Sequence, residues 1–161
     1  MSSLSYTAPS SVDEAVKLLA GASGVAKVLS GGTDLLIQMR AGRVKPDLIV
    51  DVKNVPGAVG IRKENGAWII GGSTSGAVVE AHKELTADWP GLVEALDLIG
   101  STQVQGRCSL AGNLCNASPA ADSVPAMYAA GAVCVVVGPK GRREVAVEQV
   151  PAGPGRTTLA K

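Results

Sequence analysis

The sequence predicts an α+β fold in two lobes, a small βαβ lobe followed by a larger mixed and antiparallel one. Three observations carry that prediction. A strand, a short helix and a second strand follow one another between Val25 and Val52, which is the order of a βαβ unit with parallel strands. Two β runs then meet at Asn65-Gly66, the dipeptide that most favours a tight hairpin. Another pair of β runs flanks "GPKG" near the end. The change of pattern at Val55-Pro56-Gly57 sets the boundary, giving residues 1–56 to the first lobe and 57–161 to the second.

Each element has a local cause. In "SVDEAVKLLAG" the residues Val12, Ala15, Val16 and Leu19 fall on one helical face, and Ser11 with Glu14 spells a capping box before Gly21 closes the helix. "VAKVL" at Val25–Leu29 is a strand, "DLLIQMRAG" a short helix closed by Gly42, and "PDLIVDV" a buried strand. "TSGAVVEAHKEL" and "WPGLVEALDLIG" read as two helices. A long segment of small residues runs from Gly100 to Ala121, with a helix expected to begin around Pro119, since proline suits a first helical turn.

Composition limits the function classes. A chain of 161 residues can remove about 70% of its unfolded surface from water. With 46% hydrophobic and 18% charged residues it has a globular composition. The net charge of +1 exerts no general pull on nucleic acid or anionic membrane, so an anion site must be local. Tyr6, Trp68, Trp89 and Tyr128 are the whole supply of rings, too few for base stacking. The three cysteines, Cys108, Cys115 and Cys134, show no CxxC spacing, which argues against a disulfide framework or zinc site and fits a reducing, cytoplasmic setting. The amino terminus lacks a basic stretch followed by an apolar one. "AVCVVV", Ala132 to Val137, is too short to span a bilayer and reads as a buried strand, so no membrane insertion is expected.

Two loops carry the chemistry. In "KVLSGGTDLL" an apolar run breaks at Gly31, Gly32 and Thr33 before helical character resumes. In "GRCSLAGNLCNASPAAD" Ser109, Gly112, Asn113, Asn116 and Ser118 offer short donors and bare amides. Backbone amides turned inward bind phosphate without a lysine. Glycine lets a ligand approach the backbone, so a diphosphate gripped from two sides accounts for both loops; the competing reading is that each glycine serves a tight turn. Neither GxxxxGK[ST] nor a strand followed by GxGxxG is present, which leaves no P-loop or Rossmann fingerprint.

"LSGGTDLLIQMRAG", "PDLIVDV", "GSTQVQGRCSLAGNLCNASPAADSVPA" and "AGPGRT" together resemble, in order and over nearly the whole chain, the FAD-binding medium subunit of the molybdenum hydroxylases, the family of the xanthine and carbon monoxide dehydrogenase flavoproteins. The resemblance implies the two-lobed vanillyl-alcohol-oxidase type of fold with FAD between the lobes. Electrons in such enzymes pass from a molybdenum cofactor through 2Fe–2S clusters to the flavin and on to an external acceptor. It implies that Ser30, Gly31, Gly32, Thr33 and Asp34 form the first pyrophosphate loop and Ser109, Leu110, Ala111, Gly112 and Asn113 the second. Asp122 matches a position that hydrogen-bonds the cofactor, and Ile99 one that approaches the flavin or its dinucleotide arm. Ala111 stands where the family usually has glycine. Family members continue past "GPGRT" into a C-terminal domain that helps cover the flavin, a domain the resemblance places outside these 161 residues.

Single residues keep two readings. Asp34 beside a diphosphate would repel it, which favours helix capping or first-turn stabilisation; Asp122 is either a cap or an acceptor for ribose or ribityl hydroxyls. His82, in "VVEAHKEL", reads as a helix-surface residue rather than a base. Cys108 and Cys115 read as small buried residues, and three cysteines cannot ligate an iron–sulfur cluster alone. Lys140, Arg142 and Arg143 sit at a hairpin tip, solvated or facing a partner. The functional expectation is an FAD-binding electron-transfer subunit of a cytoplasmic hetero-oligomer, with no catalytic side chain of its own. Its partners would be an iron–sulfur small subunit and a molybdopterin large subunit, which hold the clusters and the molybdenum cofactor. The alternatives are an assembly module that has lost flavin, for which Ala111 and the end of the chain speak, and a stand-alone flavin reductase or oxidase of the same fold.

Overall fold

A computed structural model describes residues 4–159. The first part of the chain builds β1 (Ser5–Thr7), α1 (Val12–Ala20), β2 (Ala26–Leu29), α2 (Leu35–Arg40) and β3 (Leu48–Asp51). β1, β3 and β2 form a parallel sheet in that order, with Tyr6 opposite Ile49 and Val28 opposite Val50. The expected βαβ unit is therefore present, with a third strand added at its other edge. β1 is too short for its alternation to be read from sequence.

α1 packs on this sheet. Ala15, Val50 and Val55 are buried together, with Val12, Leu18, Leu19 and Leu48 around them. Half of the capping box forms: Ser11 Oγ accepts from Glu14 N at 3.2 Å, but the Glu14 carboxylate turns back to Ser10 N at 2.9 Å instead of Ser11. The cap is worth about 1 kcal/mol.

The remaining elements are β4 (Ile61–Glu64), β5 (Ala67–Ile70), α3 (Gly76–Glu80), α4 (Lys83–Asp88), α5 (Pro90–Asp97), α6 (Thr102–Gln105), α7 (Leu110–Asn116), α8 (Ser123–Ala129), β6 (Val133–Gly138), β7 (Gly141–Ala146), β8 (Pro151–Gly153) and β9 (Arg156–Thr157), with a 3-10 turn at Val147–Gln149. β4 and β5, β6 and β7, and β8 and β9 each pair antiparallel. At Asn65-Gly66 both residues have positive φ, 51° and 81°, as a type I′ hairpin turn requires. Two core clusters hold these elements, one around Val79, Leu85, Leu96 and Cys108, the other around Leu92, Leu114, Met127 and Val150. Ile70 and Leu110 pack against both, joining the clusters at the amino-terminal end of α7.

Four sequence expectations need correction. The helix expected over "TSGAVVEAHKEL" is two helices, because His82 adopts an extended backbone and its Nδ1 accepts from Leu85 N at 3.2 Å, capping α4. His82 is thus a half-buried cap with its ring edge-on to Trp68 at 5.1 Å, not a helix-surface residue. The helix expected at Pro119 starts at Ser123; Ser118 Oγ accepts from Ala120 N at 3.2 Å and holds Pro119 in a turn. β6 is half-buried, since a hairpin of two strands is covered on one face only and Val133, Val135 and Val137 stay exposed.

Candidate functional site

The two glycine loops meet at Ser30. This residue directly follows β2, so it lies at the carboxyl end of a parallel strand, the usual ligand edge of such sheets. Ser30 Oγ lies 3.1 Å from Ser109 Oγ and donates to the Gly72 carbonyl at 3.3 Å. Ser109 Oγ also accepts from Gly112 N at 3.1 Å, capping α7. With the single Ser30 proton committed to Gly72, Ser109 is the donor between the two hydroxyls. One chain of hydrogen bonds then runs from Gly112 through both serines to Gly72.

Glycine is required at the contact. A Cβ on Gly31 would stand 1.7 Å from the Arg107 carbonyl oxygen, so only a bare backbone lets the first loop lie against the segment entering the second. Gly32 has φ +83°, a conformation that other residues rarely adopt. A second tie joins the flanking helices, where Gln38 Nε2 on α2 donates to Asn116 Oδ1 on α7 at 3.0 Å.

The loops present unpaired donors. No hydrogen bond among the described residues engages the amides of Gly31, Gly32, Thr33 or Asp34. At α7 the cap takes Gly112 N and the Ser109 carbonyl takes Asn113 N, leaving the amides of Leu110 and Ala111 free as first-turn donors. The Ala111 methyl faces Gly72, where a second Cβ would find it at 3.5 Å. Asn113 Oδ1 accepts from Ser123 Oγ at 2.7 Å, which leaves its amide nitrogen available to donate.

The carboxylates differ from the capping expectation. Asp34 and Asp122 occupy the N-cap positions of α2 and α8, but both backbones are helical and neither side chain caps. Asp122 is exposed, and its carboxylate forms no hydrogen bond or ion pair with the described residues. Loss of surrounding water pushes the Asp34 carboxyl above its ordinary value, although the residue keeps an exposed face. Ile99 lies in the core beside Cys108, 8% exposed, so its side chain packs near the second loop rather than lining the free amides. Cys108 is buried as expected, whereas Cys115 is exposed; all three cysteines are free thiols. Tyr128 lines a groove of about 320 Å³ with Pro119, Pro125 and Pro154.

Three contributors were not singled out from sequence: Gly72, which closes the serine chain; Gln38, which ties the helices; and Lys53, whose Nζ donates to the Ser30 carbonyl at 3.0 Å. Lys53 lies just beyond the carboxyl end of the buried strand β3, a position that does not by itself mark it as a site residue.

The fold and this geometry define a class: an α+β domain in which two glycine-containing loops are locked together and hold out unpaired amides suited to a diphosphate. The profile of the family described as the FAD binding domain in molybdopterin dehydrogenase matches residues 2–161, and the chain belongs to that family. The chain is similar to the carbon monoxide dehydrogenase medium chain of Hydrogenophaga pseudoflava, 36% identical over 140 residues, 87% of this chain and 49% of that protein. It is similar to the xanthine dehydrogenase FAD-binding subunit of Escherichia coli O157:H7, 31% identical over 156 residues, 96% of this chain and 53% of that one. Among solved structures, a carbon monoxide dehydrogenase from Hydrogenophaga pseudoflava that lacks the Mo-pyranopterin moiety of the molybdenum cofactor superposes with a TM-score of 0.93 at 34% identity, over 98% of this chain and 55% of that one. Quinoline 2-oxidoreductase from Pseudomonas putida 86 gives 0.92 at 26%, with the same coverage. The chain spans about half the length of these relatives. Among the described residues no helix is long and apolar enough to cross a membrane, and no cluster of three or more His, Cys, Asp or Glu could hold a metal.

Proposed function

We propose that this chain binds FAD as part of an electron-transfer subunit in a multi-subunit molybdenum hydroxylase of a reducing, cytoplasmic setting. The observation that carries this reading is the set of unpaired amides at Gly31–Asp34 and Leu110–Ala111, held together through Ser30 and Ser109. These residues fit the cofactor: the amides offer a diphosphate donors from two sides without a buried cation. The Asp122 carboxylate, exposed and unpartnered, accepts from ribose or ribityl hydroxyls, and the Asn113 amide adds a donor. When bound, FAD supplies the redox chemistry through its isoalloxazine ring. The protein's share is to anchor the dinucleotide arm, so no side chain here acts as acid or base on the organic substrate.

The partners in this reading are an iron–sulfur small subunit and a molybdopterin large subunit. Relatives of this one domain belong to complexes named for carbon monoxide, 6-hydroxypseudooxynicotine and xanthine, which supports a substrate chosen by another subunit.

The test is the visible spectrum of the complex containing this chain, purified with its partners, with mass identification of the molecule released on denaturation. FAD at one equivalent per chain supports the reading. A colourless complex that still assembles refutes it and favours an assembly module. Introducing valine at Gly32, where φ is +83°, should lower flavin content severalfold; unchanged content would remove the first loop from the site.

A further inference from the structure

A charged cluster reaches the first glycine loop from the parallel sheet. On β1, Tyr6 donates its hydroxyl to Asp51 Oδ2 at 2.8 Å. Lys53 Nζ lies 2.7 Å from both Asp51 oxygens, and Lys53 N donates to Asp51 Oδ1 at 3.1 Å, so the two residues fix each other across Val52. The same ammonium donates to the Ser30 carbonyl at 3.0 Å. Asp51 is only 8% exposed, and a carboxylate so placed is costly unless fully paired. Burial alone would raise its pKa, but the bonds from Lys53 and Tyr6 outweigh it and hold the carboxyl below the ordinary value.

The Ser30 carbonyl belongs to the peptide unit whose nitrogen is Gly31. A trans peptide is planar, with its C=O and N–H pointing opposite ways. A cation fixed on the carbonyl therefore sets the direction of the Gly31 N–H, aiming it away from Lys53. It also polarises the unit, which strengthens the N–H as a donor. We propose that Lys53, held by Asp51 and Tyr6, is a positioning residue for anion binding, aligning the first free amide of the glycine loop by clamping the Ser30 carbonyl. This rests on the FAD reading above for the identity of the anion, though the clamp itself does not.

The experiment uses the full-length subunit carrying this chain, stripped of cofactor and titrated with FAD and separately with ADP, which shares the diphosphate. Lys53→Met should weaken both ligands about tenfold, the scale of a lost hydrogen bond to a charged group, and Lys53→Arg should stay within about threefold of wild type. A Lys53→Met protein within about twofold of wild type, or a Lys53→Arg protein as weak as Lys53→Met, overturns the proposal. Should Lys53→Met fail to fold, Asp51→Asn leaves the lysine unanchored and should cost about threefold or more, with an unchanged affinity counting against the clamp. A wild-type subunit that takes up no FAD refutes the functional reading instead. The clamp is then decided by hydrogen exchange over residues 27–36, which should quicken about fivefold or more in Lys53→Met if the ammonium holds that loop, and stay unchanged if it does not.

Discussion

Gly31 and Gly72 both border the junction of the two loops, and the space beside them differs sharply. A methyl on Gly31 would overlap the Arg107 carbonyl at 1.7 Å, whereas one on Gly72 would meet Ala111 at an ordinary 3.5 Å. Gly31→Ala should therefore cost about 3 kcal/mol or more and Gly72→Ala under about 1 kcal/mol, read as the shift in urea denaturation. Equal losses would mean that the loops are not in contact. Asp51 gives a pH test. Its carboxyl is held below the ordinary value of 3.8, so its contribution to stability is present above that value and is lost as pH falls through the lower folded value. The stability gap between wild type and Asp51→Asn should be steady from about pH 7 to 5 and close below about 3.8; a gap that widens in acid would show that the Lys53 and Tyr6 bonds do not control the group. At this scale Ser30, Gly31, Gly32 and Ser109 were readable as loop residues from their types alone. Lys53 was not, because a lysine after a strand looks like any solvated lysine until its carbonyl partner is known.

The elements were legible in proportion to their local signal. Asn65-Gly66 specifies its turn by itself, as both residues take the positive φ they favour. Gly66→Ala places a methyl residue at φ +81° and should cost about 1–2 kcal/mol, measured by thermal melting, while leaving FAD content unchanged because β4 and β5 lie outside both loops. A parallel loss of flavin would show that the hairpin supports the site. α1 was equally clear from its apolar face and Ser11 cap. The break at His82 was missed because "VVEAHKEL" keeps helix-forming residues on both sides, and only the imidazole bond to Leu85 N reveals the restart. β6 misled in the opposite way: a run of valines reads as fully buried, and its alternating exposure follows from having β7 alone beside it.

In the whole molecule the site comes from separations that no local pattern encodes. Ser30 meets Ser109 across 79 positions, and Gln38 meets Asn116 across 78. The amino-acid sequence by itself determined the glycine loops, the βαβ order, the hairpin turns and the family resemblance, because each rests on a few adjacent residues whose φ preferences and apolar spacing act locally. Only the tertiary structure decided which groups face each other. It set Lys53 on the Ser30 carbonyl, left Asp34 and Asp122 at N-cap positions without a capping hydrogen bond, and put Ile99 in the core. The physical reason is that such contacts depend on sheet register and on packing between segments far apart in sequence, and both are properties of the assembled chain.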